Sequence, residues 1–247
     1  MEIQQSNQLS KKERKELRRQ EKQGEQKHKA RIKSLKRAGF WFVALLGIGG
    51  LIFGFTKFSN QPRTEQEILP VDTVSPSDWS KGNQEAKVIL IEYSDFQCPA
   101  CGTYYPVIKE LFREFNKDII FVYRHFPLRS IHPNADLAAR AAEAAGRQEK
   151  FWEMHDLIFE HQKEWADQKD ARELFVQYAQ SLNLDIEQFR VDVDSSEIKD
   201  KIDIDYKSGL NFEVNATPTF FLNGEKLQNP RNYEEFKSLI QAAISRQ

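Results

Sequence analysis

Residues 75–247 predict an α/β domain that carries a helical insertion, and three observations carry that reading. Two short apolar runs rich in β-branched residues, "KVILIEY" (Lys87–Tyr93) and "DIIFVYRHF" (Asp118–Phe126), have the character of strands buried on both faces of a sheet. A long stretch of helical periodicity, about 133–214, follows them. The chain then returns through "TPTFFLNGEKL", two short strands around Asn223-Gly224, the dipeptide of a type I′ hairpin. The order is strand, helix, strand, helical block, hairpin, helix, which suits a small mixed sheet with helices on both faces.

The elements justify themselves in turn. Residues 1–37 form a basic tail with thirteen Lys/Arg against five Glu, whereas the remaining residues carry twenty-three Lys/Arg against thirty-two Asp/Glu. The tail lacks the aromatics and modules of a nucleic-acid arm, so no nucleic acid is expected as a partner. "AGFWFVALLGIGGLIFGFT", Ala38 to Thr56, has no charge and is apolar all round. As a helix it measures roughly 28 Å, the thickness of a bilayer's hydrocarbon, so 38–56 is expected to be a transmembrane anchor. The flanking basic residues imply a cytoplasmic N-terminus and a domain outside the cytoplasm. Residues 57–74, polar and with Pro62 and Pro70, read as a linker.

Within the domain, "CGTYYPVIKELFREF" spaces Tyr104, Ile108, Leu111, Phe112 and Phe115 as one helical face. The inserted block shows the same periodicity in "ADLAARAAEAAG", "FWEMHDLIFEHQ" and "ARELFVQYAQSL", and then in Ile198, Ile202, Tyr206 and Leu210. Asn232 with Glu235 resembles a capping box, and Tyr233, Phe236, Leu239, Ile240, Ala243 and Ile244 mark the core face of the last helix.

The chain has two cysteines, Cys98 and Cys101, both in "DFQCPACGTYYP" between the first strand and its helix. Three uses of such a pair compete. A structural disulfide gains least from so short a loop. A structural zinc site needs four ligands, and only His155 and His161 stand at a plausible spacing. A redox dithiol fits the location best. Pro99 suits the first helical position, which makes Cys98 the N-cap and sets its sulfur against free N–H groups and the positive end of the helix. Thiolate is the form stabilised there, and Cys101, one turn inward, is the shielded second thiol.

Taken together, "GNQEAKVILIEYSDFQCPAC", Pro106 five residues after the second cysteine, "HPNADLAARAAEAAGRQEKFWEMHDLIFEH" and "VNATPTFFLNG" resemble the DsbA-type thiol–disulfide oxidoreductases. The resemblance covers roughly 75–247 and implies a thioredoxin-like fold with an inserted helical subdomain. By position it implies that Cys98 is the nucleophile, Cys101 the resolving cysteine and Pro218 a cis-proline facing the pair. Thr217 would offer its backbone to an extended substrate, with Pro99 and Ala100 also contacting it. Glu92 resembles an acid that some members bury beneath the disulfide; its pKa should be raised, and Arg124 or His125 are candidates to neutralise it. A Glu92 solvated at the strand end is the alternative. Where the most oxidising members have histidine, this chain has Ala100, whose side chain cannot donate to the Cys98 thiolate, so a less oxidising pair is expected.

The expected function is a membrane-anchored, extracytoplasmic bacterial oxidoreductase that introduces disulfides into exported proteins. Its partners would be unfolded or partly folded cysteine-containing clients and an unidentified recycling partner. Nothing in the rest of the chain points to a metal or organic cofactor. The alternatives are a reductase or isomerase using the same site, and a non-catalytic thioredoxin-fold binding or chaperone module. Phe96 and Phe126 stand near the motif either as client groove or as core.

Overall fold

The structure, a computed structural model, describes residues 70–246, which lie in one compact unit, Gln66–Gln247. The basic tail 1–37, the expected anchor 38–56 and most of the linker 57–74 lie outside the described residues. Among the described residues no helix is long and apolar enough to cross a membrane.

The elements run β1 (Trp79–Gly82), β2 (Val88–Ser94), α1 (Pro99–Phe115), β3 (Ile119–His125), α2 (Ala135–Gly146), α3 (Phe151–Glu160), α4 (Gln162–Trp165), α5 (Arg172–Ser181), α6 (Ile186–Val193), α7 (Ser196–Asn211), β4 (Thr219–Leu222), β5 (Glu225–Lys226) and α8 (Tyr233–Ser245). They form one five-stranded sheet in the order β1-β3-β2-β4-β5. The pair β2–β3 is parallel, joined through α1, and the other neighbours are antiparallel. The two apolar runs are therefore the central strands, and every residue of β3 is buried. The hairpin turns at Asn223 and Gly224, both at positive φ (47° and 84°), which is the geometry that Asn-Gly favours.

The core lies on both faces of the sheet. On one face α1 and α8 pack with Val88, Leu90, Phe121, Tyr123 and Phe220, and this layer continues into the insertion through Phe151, Ile158 and Trp165. On the other, Ile91, Tyr93, Val122, Phe126 and Phe221 meet Tyr206 of α7. Each such large apolar side chain contributes on the order of 1.5–3 kcal/mol by leaving water. Phe96 and Phe126 are core in this architecture: Phe96 stacks on Tyr123 and Phe126 on Tyr206, and both are buried.

Two polar arrangements clamp the layers. Arg124, fully buried, donates from Nε and Nη2 to the two oxygens of Asp78 at 2.8 and 2.7 Å, with further bonds to Pro70 O and Tyr93 Oη. His125 Nε2 lies 2.8 Å from Glu143 Oε1 on α2, which also accepts from Trp79 Nε1, while Lys201 Nζ lies 2.5 Å from Asp205 Oδ2. The second arrangement joins the sheet to the insertion with its own internal cation.

Candidate functional site

Cys98 is the N-cap of α1, extended at φ −67° and ψ 122°, and Pro99 occupies the first helical position, where its missing N–H leaves no bond unmade. Both cysteines are free and buried, Cys98 at 7% exposure and Cys101 at 0%. In its thiol form Cys98 Sγ donates to Thr217 O at 3.3 Å, and the Thr217-Pro218 bond is cis. The returning chain before β4 therefore lies against the outer sulfur. Pro99 and Ala100 are exposed beside it.

The two thiols are electrostatically unequal. A hydrogen bond from Cys101 lowers the Cys98 thiol to about 5; burial opposes this, and Thr217 and the backbone N–H groups of Cys101 and Ala100 add to it. Burial pushes Cys101 well above the ordinary thiol range, and its bond to Cys98 and the nearby charges of Cys98 and Glu92 push the same way. The thiolate therefore belongs to the outer cysteine and the proton to the inner one. Ala100 contributes through its backbone, a donor that its side chain cannot supply.

Glu92 sits inside β2, paired with Tyr123 on one side and Phe220 on the other, and is 5% exposed. It is not solvated at a strand end. Burial raises it to about 7, and the charge of Lys81 is among the groups that oppose the rise. Neither expected cation neutralises it. Arg124 belongs to the opposite face of β3 and is taken by Asp78, while His125 is held by Glu143.

Several residues that sequence reasoning did not single out complete the site. Asp95 is buried one residue beyond β2: its N–H reaches Cys101 Sγ at 3.5 Å, and its carbonyl accepts from Cys98 N at 3.0 Å. Its carboxylate accepts from Gln97 N, Leu128 N and His132 Nδ1 at 2.7, 2.8 and 2.7 Å. Gln162, first in α4, donates from Nε2 to Phe96 O and Cys98 O at 2.7 and 2.9 Å. Gly102 makes room for that amide, since a Cβ there would lie 2.3 Å from Gln162 Oε1. The "HPN" stretch drew notice only as part of a resemblance, and "DFQC" only for its cysteine.

The two histidines weighed as candidates for a zinc site, His155 and His161, lie on α3 and just after it. His155 is buried among Phe96, Tyr123 and Phe159, and burial lowers it to about 4; its Nδ1 lies 2.9 Å from Asp156. His161 pairs with Glu164 at 2.8 Å.

The sequence profile of the family described as Thioredoxin matches residues 75–242. Among solved structures, BdbD from Bacillus subtilis (oxidised) is 21% identical, with a TM-score of 0.64 over 72% of this chain and 98% of that one. Wolbachia pipientis alpha-DsbA1 is 24% identical, with a TM-score of 0.62 over 74% and 97%. A thioredoxin-like oxidoreductase from Silicibacter pomeroyi DSS-3 is 25% identical, with a TM-score of 0.57 over 70% and 92%. Among curated sequences, the Na(+)/H(+) antiporter NhaA 3 of Salinispora tropica is 38% identical over 178 residues, which is 72% of this chain and 26% of that protein. The NhaA 1 antiporter of Mycolicibacterium vanbaalenii is 37% identical over 205 residues, 81% and 31%. The chain thus spans about a quarter to a third of the length of these relatives.

These matches correct the expected localisation. The antiporters belong to a membrane protein family, but this chain spans only about a quarter to a third of their length, and among its described residues no helix is long and apolar enough to cross a membrane. The assignment of a single-pass membrane protein with an extracytoplasmic catalytic domain is therefore withdrawn. The fold is shared with BdbD and alpha-DsbA1, and by the matched family the chain belongs to the thioredoxin family.

Proposed function

We propose that the chain introduces disulfide bonds into cysteine-containing client proteins through Cys98 and Cys101. The observation that supports this reading best is the inequality of the two thiols. A reduced form stabilised as the Cys98 thiolate makes the disulfide the less favoured state, so the oxidised pair tends to pass its disulfide on. A client thiolate attacks Cys98 Sγ, the bond between Cys98 and Cys101 breaks, and Cys101 leaves with the electron pair. A second client thiolate then attacks the client sulfur of the mixed disulfide, so that Cys98 departs as thiolate and the client keeps the disulfide. The client is oxidised by two electrons, and a redox partner must reoxidise the pair.

The other residues take roles that follow from their places. Glu92, raised to about 7 beneath Cys101, can hold a proton near neutrality and pass it to the leaving Cys101 thiolate. Thr217 and Pro218 face the outer sulfur, with Thr217 O 3.3 Å from Cys98 Sγ, which leaves the Thr217 backbone beside the site where an extended client would lie. Pro99 and Ala100, exposed beside Cys98, are the surface a client meets first.

The test is thiol oxidation of a reduced, unfolded two-cysteine protein by the oxidised chain. Cys98→Ala and Cys101→Ala should each abolish it, since neither can form the disulfide, while the Cys101→Ala chain, offered a client that already carries a disulfide, should form a mixed disulfide through Cys98 and release one client thiolate. No client oxidation by the unaltered oxidised chain would instead mark a binding module without redox chemistry.

A further inference from the structure

Beside the dithiol lies a cleft of about 1160 Å³ whose wall includes Gln97, Pro99 and His132. His132 enters it from the loop before α2, with 15% of its side chain exposed, while the Asp95 side chain behind it is wholly buried. Asp95 Oδ2 accepts from both Leu128 N and His132, and a carboxylate offers no proton in return. The Nδ1 of His132 is therefore the protonated nitrogen in this tautomer, and Nε2 carries the free lone pair. Among the described residues Nε2 has no hydrogen-bond partner. Asp95 is also bonded through its backbone to Cys98 N and Cys101 Sγ, so the dyad and the dithiol share one rigid turn. The charged groups on the facing wall are Glu160, which binds Lys109, His161, which pairs with Glu164, and Lys163 and Asp167.

We propose that His132, oriented by Asp95, is the base that takes the proton from an incoming client thiol. This rests on the oxidoreductase reading above and adds the group that prepares the nucleophile. An ordinary thiol titrates near 8.5, so only about 3% is thiolate at pH 7. In the proposed step the client S–H proton passes to His132 Nε2 and the client sulfur bonds to Cys98 Sγ. The bond between Cys98 and Cys101 breaks, Cys101 takes the electron pair, and Glu92 supplies its proton. Two proton sites then flank the exchange, His132 on the entering side and Glu92 on the leaving side.

The test compares two small thiols attacking the oxidised full chain at pH 7: an alkyl thiol that is mostly protonated and an aromatic thiol that is already ionised. His132→Asn keeps an N–H for Asp95 and removes the Nε2 acceptor. It should slow the alkyl thiol about tenfold, within a ceiling of about thirtyfold set by the thiolate fraction, and leave the aromatic thiol within about twofold. His132→Gln repeats the comparison should the first variant fold poorly. With the unaltered protein, the alkyl-thiol rate should fall less than tenfold per pH unit just below pH 7, because the protonated thiol also reacts. Equal slowing of both thiols, or no slowing of either, together with a full tenfold fall per unit, would overturn the proposal. If the unaltered chain reacts with neither thiol, the oxidoreductase reading itself falls first.

Discussion

Reducing the pair should change the stability of the folded chain in a way that depends on pH, and the size follows from the Cys98 environment. Its thiol goes from an ordinary 9.0 to about 5 on folding. For a depressed folded value, the stabilisation is complete above the unfolded pKa and is lost as pH falls through the folded one, so the window runs from about 9 down to about 5. At pH 7, two units above the folded value, the full linkage is about 2.7 kcal/mol; screening by solvent at this rim position brings it to about 1.5–2.5 kcal/mol. Near pH 5 only a few tenths of a kcal/mol remain. The oxidised chain has no thiol to titrate, and the constraint its disulfide places on the unfolded chain does not vary with pH. Glu92 acts with the opposite sign, since a raised pKa gives stability that is present below the unfolded value and lost as pH rises through about 7. It is present in both redox states and largely cancels in their difference. Denaturant unfolding of both forms at pH 5, 6, 7 and 8 measures that difference. It should move in favour of the reduced form by about 1–2 kcal/mol between pH 5 and 7. A difference flat to within a few tenths of a kcal/mol would refute the thiolate assignment.

Two further outcomes are expected. Glu92→Gln removes a group that is costly once ionised in the core, so the variant should be more stable than the parent at pH 8 by about 1–3 kcal/mol and no more stable at pH 4; its thiol exchange should slow, because Cys101 loses its proton source. Equal stability at both pH values would place Glu92 in water. Asp78→Ala leaves the fully buried Arg124 guanidinium without its carboxylate and should cost about 3–5 kcal/mol in denaturant unfolding, a loss that Asp78→Glu should partly restore.

The central strands were legible because β2 and β3 are apolar on both faces, and Asn223-Gly224 announced its turn. Strand β1 was not, because "WSKG" is short and largely polar, and it lies at the sheet edge. The cysteine pair, Pro218 and the buried Glu92 could be found from sequence order and resemblance. The wrong cations for Glu92 show where that reasoning fails. Arg124 and His125 are adjacent in sequence yet face opposite sides of the sheet, and each already has a carboxylate brought from a distant element. Asp95 and His132 are 37 residues apart and meet only because the loop after β3 folds back over the Cys98 turn. Gln162 reaches the same turn from the insertion. Long-range contacts of this kind leave no periodicity or spacing to read.

The measurement closest to the central claim is the equilibrium potential of the Cys98–Cys101 couple, titrated against a glutathione buffer near pH 7. Roughly 30 mV corresponds to 1.4 kcal/mol for this two-electron couple. A chain that donates disulfides should give a value near or above about −180 mV, and a value near that of thioredoxin, about −270 mV, would contradict the oxidase reading and make the same site a reductase.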